Sequence, residues 1–196
     1  MTSAASPAST RPAPAPTRPL LPNGVMGMLM FVFTEAMLFA GMISAHAIVK
    51  AGAQQWPPFD QPRLPREATL INTIALLYSG VALLIAHLVW RRRPEKARLP
   101  LLIAVLLGLY FVAAQGREWI ALLAEGLTLT SSPYGSFFYL VVGTHALHAV
   151  AAILALVWAW QRLRTGRLTA GQLGTVEVFW YFVVLMWPVL YLQVYL

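Results

Sequence analysis

Glu35, Gln115, Glu118, His145 and His148 are the side chains through which this 196-residue chain could do chemistry. His145 and His148 are three residues apart, as are Gln115 and Glu118, so on a helix each pair shares a face. Such pairs can bind a metal ion, relay protons or hydrogen-bond one another. A metal site inside a helix bundle commonly draws on Glu-x-x-His from two helices, and that signature is absent. The two histidines could ligate haem, but nothing else in the chain suggests a haem pocket. Cysteine is absent, which excludes disulfides, thiolate metal sites and a cysteine nucleophile. There is no glycine-rich nucleotide loop, no serine triad and no flavin signature. The residue types favour an interhelical hydrogen-bond network over a catalytic centre. Arg117 and Glu118 are adjacent and cannot face the same way, so one is expected to face inward while the other reaches a polar boundary.

The elements that position these groups are apolar and long. The chain is 59% hydrophobic and 11% charged, with mean hydropathy +0.66. A soluble domain could not cover that much apolar surface with so few charges, so the chain reads as an integral membrane protein. Only helices or closed barrels span a bilayer, and these runs are far longer than barrel strands. Five spans are expected, at about 25–49, 69–90, 99–124, 134–161 and 174–195. Ser131-Ser132-Pro133 is the clearest start signal, a serine cap followed by a proline suited to the first turn. Residues 1–24, rich in Ala, Pro, Ser and Thr, read as a disordered cytoplasmic tail, with 25–196 as a five-helix transmembrane domain. The tail has no apolar core of its own and does not read as a cleaved signal peptide.

Glu35 is the one formal charge in its run. At about 1.5 Å per residue it lies roughly 15 Å along the span, close to the membrane midplane. A carboxyl group facing lipid at that depth costs on the order of 3 kcal/mol or more. It is therefore expected to be packed against other helices and protonated. His46, Thr144 and Glu177 also fall within spans, with His87 near one end of the second and Asn72 and Thr73 near the other.

Basic residues set the expected orientation. Arg11, Arg18, Arg91, Arg92, Arg93, Lys96, Arg98, Arg162, Arg164 and Arg167 fall on one side, against Lys50, Arg63 and Arg66 on the other. The richer side should be cytoplasmic, which places the N-terminus inside and the C-terminus in the periplasm. Membrane topology accounts for the net charge of +7, so no nucleic-acid partner is implied. Trp90, Trp158 and Trp160 are expected at the inner interface, and Trp56, Trp119, Tyr191 and Tyr195 at the outer one. Gly41 with Ala45, and Ala151, Ala155 and Ala159, are candidate close-approach positions between helices. Arg91, Arg92 and Arg93 could hold lipid headgroups.

Several segments resemble subunit III of haem–copper respiratory oxidases, the cytochrome c oxidase subunit 3 family, in a short five-helix form. Met30-Phe31-Val32-Phe33-Thr34-Glu35-Ala36-Met37-Leu38-Phe39 is similar to the family's phenylalanine-rich segment around an intramembrane glutamate. Trp56-Pro57-Pro58 and Leu70-Ile71-Asn72-Thr73 resemble the following loop and helix start. Leu107-Gly108-Leu109-Tyr110-Phe111 with Gln115 and Glu118 resembles the third helix. Tyr134-Gly135-Ser136-Phe137-Phe138 and Thr144-His145-Ala146-Leu147-His148 resemble the fourth. The fifth departs: Trp180-Tyr181-Phe182-Val183-Val184 lacks the histidine and aspartate common in the family, with Tyr181 and Val184 in their places.

The resemblance implies a non-redox accessory subunit in a bacterial inner membrane. It implies no cofactor in this chain, with haem and copper in the partner catalytic subunits. Subunit I, subunit II and bound phospholipid would be the partners. Such a subunit supports stability, lipid retention and proton uptake while the catalytic subunit reduces oxygen. Glu35, Gln115, Glu118, His145 and His148 would line the bundle interior, the lipid cleft or a subunit contact. The alternatives are a subunit of a nitric oxide reductase complex, a free-standing proton-coupled transporter, or an intramembrane metalloenzyme using His145, His148 and Glu118.

Overall fold

The computed structural model describes residues 21–196, so most of the expected tail lies outside the described residues. Five long helices follow one another: α1 (Asn23–Gly52), α2 (Arg66–Trp90), α3 (Arg98–Ala124), α4 (Pro133–Arg164) and α5 (Ala170–Leu190). Each is long and apolar enough to cross a membrane. All five expected spans are present, and each starts one to four residues before the expected bound. Polar caps set two of the starts. The Ser132 hydroxyl accepts from the Gly135 amide and opens α4, as its sequence predicts. Thr169 and Gln172 form a reciprocal capping box that starts α5 four residues earlier than its apolar run suggests. Gly126 and Gly166 take positive φ, 91° and 67°, just past α3 and α4, where a side chain would be strained.

A 3-10 turn, Pro94–Ala97, joins α2 to α3, and a π turn, Tyr191–Tyr195, continues α5 beyond Pro188. Successive helices run in alternating directions. One end of the bundle therefore carries Arg91–Arg93 and Arg162–Arg167 (the basic end). The other carries Lys50, Arg66 and Tyr195 (the distal end).

The helix α5 is the hub. It packs on α1, α2 and α4, while α3 packs between α2 and α4. Large apolar residues occur on every side of it, and a helix that is apolar all round belongs in an interior. Trp180, Val183, Trp187 and Leu190 are fully buried. The helix α1 is the opposite case. It leans on α5 and α4, and only Phe39 and His46 are buried along its length.

Close approaches occur at glycines facing large α5 side chains. A Cβ on Gly108 would lie 2.6 Å from the Trp180 ring, and one on Gly80 would lie 3.1 Å from Val184. The candidate small-residue contacts hold only in part: Ala159 is fully buried and Ala155 packs against the core, while the others are corrected. Gly41 and Ala45 are exposed, with nothing within 4 Å of a Cβ at Gly41, and Ala151 is also exposed. Small size permits close packing only on a face that has a partner, and that face of α1 has none within the chain.

Candidate functional site

The distal half of the bundle holds a network centred on Glu118. Asn72 and Thr69 are one helical turn apart on α2 and face α3. The Asn72 amide donates to Glu118 Oε1 at 2.8 Å, and the Thr69 hydroxyl lies 2.9 Å from Oε2. Gln115, one turn before Glu118, donates to Oε2 at 3.2 Å and also to the Tyr195 hydroxyl at 2.9 Å. Beside it, Trp187 Nε1 donates to the Thr73 hydroxyl at 2.8 Å. Glu118 is therefore the inward member of the Arg117–Glu118 pair, and Arg117 is exposed. Gln115 and Glu118 bond each other, as their spacing suggests. Tyr195 lies toward the distal end but within the bundle: it is buried, and its ring meets Phe138 and Trp187.

A second polar pair joins α1 to α4. His148 Nε2 lies 3.1 Å from Glu35 Oε2, and its Nδ1 lies 2.8 Å from the Thr144 carbonyl. A carbonyl only accepts, so Nδ1 carries a proton. Two states then satisfy the geometry. In one, a neutral ring accepts at Nε2 from a protonated Glu35. In the other, a doubly protonated ring donates to a Glu35 carboxylate. Either way one proton lies between the two residues and the pair has no net charge. Rings of Phe39, Phe179 and Phe182 wall it in on three sides, with centroids 5.6–6.2 Å from His148.

His145 does not join this network, contrary to the expectation that it takes part in interhelical hydrogen bonding. Three residues advance a helix by about 300°, which leaves the two rings some 60° apart around α4. His148 reaches α1, while His145 points between α3 and α5. Its ring is fully buried among Phe39, Phe111 and Trp187, and neither nitrogen has a partner among the described residues. Two unsatisfied buried groups cost about 1–3 kcal/mol each if they stay dry.

A third polar pair was not anticipated. His87 Nδ1 lies 2.9 Å from both carboxylate oxygens of Glu177, joining α2 to α5 near the basic end. The available signal was depth: both residues fall near the same end of antiparallel spans. Matching depths across spans would also have paired Asn72 with Glu118. The departures in α5 are apolar in effect. Val184 packs at Gly80, and the Tyr181 hydroxyl is buried without a partner. Arg91, Arg92 and Arg93 are exposed and line an open groove with Leu88, Val89 and Lys96. Arg162 and Arg164 lie over the Trp158 and Trp160 rings at that same end. Among the described residues, no three His, Asp or Glu side chains converge to hold a metal ion.

These features define a helical membrane protein whose polar interior groups bond its own helices together. Residues 19–196 match the family model for cytochrome c oxidase subunit III, and the chain belongs to that family. A probable cytochrome c oxidase subunit 3 of Mycobacterium leprae is 30% identical over 179 residues, covering 89% of this chain and 88% of the relative. One from Nocardia farcinica is 29% identical over the same shares. The human cytochrome c oxidase subunit 3 is 33% identical over 180 residues, covering 86% of this chain and 67% of the relative. The chain is thus an accessory subunit of a haem–copper oxidase. Nothing in the site or in these relatives favours a nitric oxide reductase subunit or a free-standing transporter.

Proposed function

We propose that this subunit carries no redox centre and packs against catalytic subunit I of its oxidase, within a complex that includes subunit II. The haem and copper reside in those partners, and the complex sits in a bacterial inner membrane. The basic end faces the cytoplasm, the C-terminus faces the periplasm, and residues 25–196 act as one transmembrane unit. The observation that carries this reading is the Glu35–His148 pair, which joins α1 to α4 at membrane depth and stays partly exposed at the edge of that contact. The Glu35 side chain is 18% exposed, so part of it can be reached from outside the chain. A partner helix or a lipid at this edge would complete the hydrogen bonding of a polar pair held near the midplane. A neutral pair that shares one proton is suited to that depth, where a lone carboxylate is not. Gln115, Glu118 and His145 serve the bundle's interior. Arg91, Arg92 and Arg93 hold phosphate headgroups at the basic end and so retain lipid beside the catalytic subunit.

The test is Glu35→Ala in the purified complex. The variant is expected to assemble with subunits I and II and to begin turnover at the normal rate. It should then inactivate several-fold faster during sustained oxygen reduction. An unchanged working life would remove Glu35 from this role.

A further inference from the structure

The distal end of the bundle carries a cavity of about 310 Å³ bordered by charges of both signs. Lys50 in the last turn of α1, Arg63 in the α1–α2 connection and Arg66 at the start of α2 line it, and so does Glu67. The distal half has four basic residues, Lys50, Arg63, Arg66 and Arg117, and three of them meet here. Among the described residues the ion pairs are His87–Glu177 and Glu35–His148, so neither these three cations nor Glu67 is paired within the chain. Three like charges around one cavity repel one another and call for an anion. The unpaired carboxylate beside them calls for a cation.

The cavity lies where the helices leave the membrane. It opens among helix ends: the end of α1, the start of α2 and, through Tyr134, the first turn of α4. Trp56 and Tyr134 in its wall are aromatic residues of the kind that sit at headgroup level, each with an apolar body and a polar tip. Buried Leu64 adds an apolar side. A free ion would answer one sign of charge and leave the other sign and the apolar wall unmatched. A molecule that joins phosphate, ammonium and hydrocarbon answers all three. We infer that this cavity holds the headgroup of a zwitterionic aminophospholipid. Its phosphate accepts from Lys50, Arg63 and Arg66, in charge-assisted bonds to which the arginine fork is well suited. Its ammonium donates to Glu67, and its glycerol backbone lies against Leu64 and Trp56. The groove at the basic end is different in kind. It is lined by Arg91, Arg92, Arg93 and Lys96 with no acidic residue, which suits an anionic lipid. The two ends of the bundle are thus fitted to headgroups of different net charge. The distal site does not depend on what covers α1 or on which leaflet the distal end faces.

The intact oxidase complex is equilibrated with detergent micelles holding equal amounts of phosphatidylethanolamine and phosphatidylglycerol, and its retained lipids are counted by native mass spectrometry. The wild-type complex is expected to retain one more phosphatidylethanolamine than the double variant Arg63→Gln/Arg66→Gln. Glu67→Gln removes only the partner of the ammonium. It should keep a lipid at the site and lose the selectivity, so that phosphatidylglycerol replaces phosphatidylethanolamine there about five-fold more often than in the wild type. Normal initial oxygen reduction in both variants shows that the complex has assembled. Equal phosphatidylethanolamine counts in the wild type and the double variant overturn the inference. If the double variant instead loses one phosphatidylglycerol, the cavity reads a phosphate alone and the inference is overturned as well. A carbodiimide cross-link from Lys50 to a carboxylate of another subunit in the wild-type complex also overturns it, because the cavity would then seat an acidic protein segment.

Discussion

Glu118 and Glu35 are both carboxyl groups inside membrane-spanning helices, yet their surroundings differ in kind. Glu118 has Asn72, Thr69 and Gln115 as side-chain partners, all from this chain. Glu35 has His148 alone and stays 18% exposed at the edge of the α1–α4 contact. The first group is satisfied from within and belongs to the fold. The second is satisfied in part and belongs to whatever lies beside α1. Two similar residues at membrane depth can therefore mark opposite things, and the count of internal partners separates them.

The largest effect that would sharpen this contrast is expected from Glu118→Ala. It leaves the Asn72 amide without its partner and removes an acceptor from Gln115 and Thr69, which keep the Tyr195 hydroxyl and the Pro65 carbonyl. The folded subunit should lose about 2–4 kcal/mol, since such bonds are worth about 0.6–1.7 kcal/mol each and orphaned partners add to the loss. Unfolding by steric trapping in bilayers would measure it. Asn72→Leu removes one donor and should cost about 1–2 kcal/mol in the same assay. A double-mutant cycle between positions 72 and 118 should return most of that as coupling. Glu35→Gln is expected to cost the isolated subunit less than about 1 kcal/mol, because a single partnered bond is altered at a partly open site. Its effect should appear in the lifetime of the complex instead. If Glu35→Gln destabilised the subunit alone as much as Glu118→Ala does, the contrast would fail.

Much of this arrangement can be read before the coordinates are known. Five apolar runs give five helices, because a bilayer leaves the backbone few other ways to satisfy its hydrogen bonds. The Ser132 cap follows from local chemistry, and spacing shows that Arg117 and Glu118 diverge without showing which of them turns inward. Other features depend on azimuth and on which helices become neighbours. The spacing of His145 and His148 places them on one broad face but does not reveal that α1 lies opposite one and α3 the other. Gly41 and Gly108 look equally suited to close packing, yet only Gly108 meets a neighbour, because α5 lies opposite it. Tyr195 looks like an interface aromatic until the π turn after Pro188 is seen to return it to the interior. The pairing of His87 with Glu177 spans 90 residues and needs the α2–α5 contact to become visible.

The sequence distance across the distal contacts bears on how the chain is made. A ribosome delivers α2 and α3 long before α5. Thr69, Asn72, Gln115 and Glu118 can close upon one another as a hairpin while synthesis continues. Thr73 must wait 114 residues for Trp187, and Gln115 must wait 80 for Tyr195. Until then the nascent hairpin exposes the Thr73 hydroxyl and the bare groove at Gly80 and Gly108. A membrane protease or insertase that senses polar groups and gaps on a helix pair would find both on a stalled chain and neither on a finished one. The last helix thus closes a surface that the earlier ones leave open, and arrest before it should leave that surface uncovered.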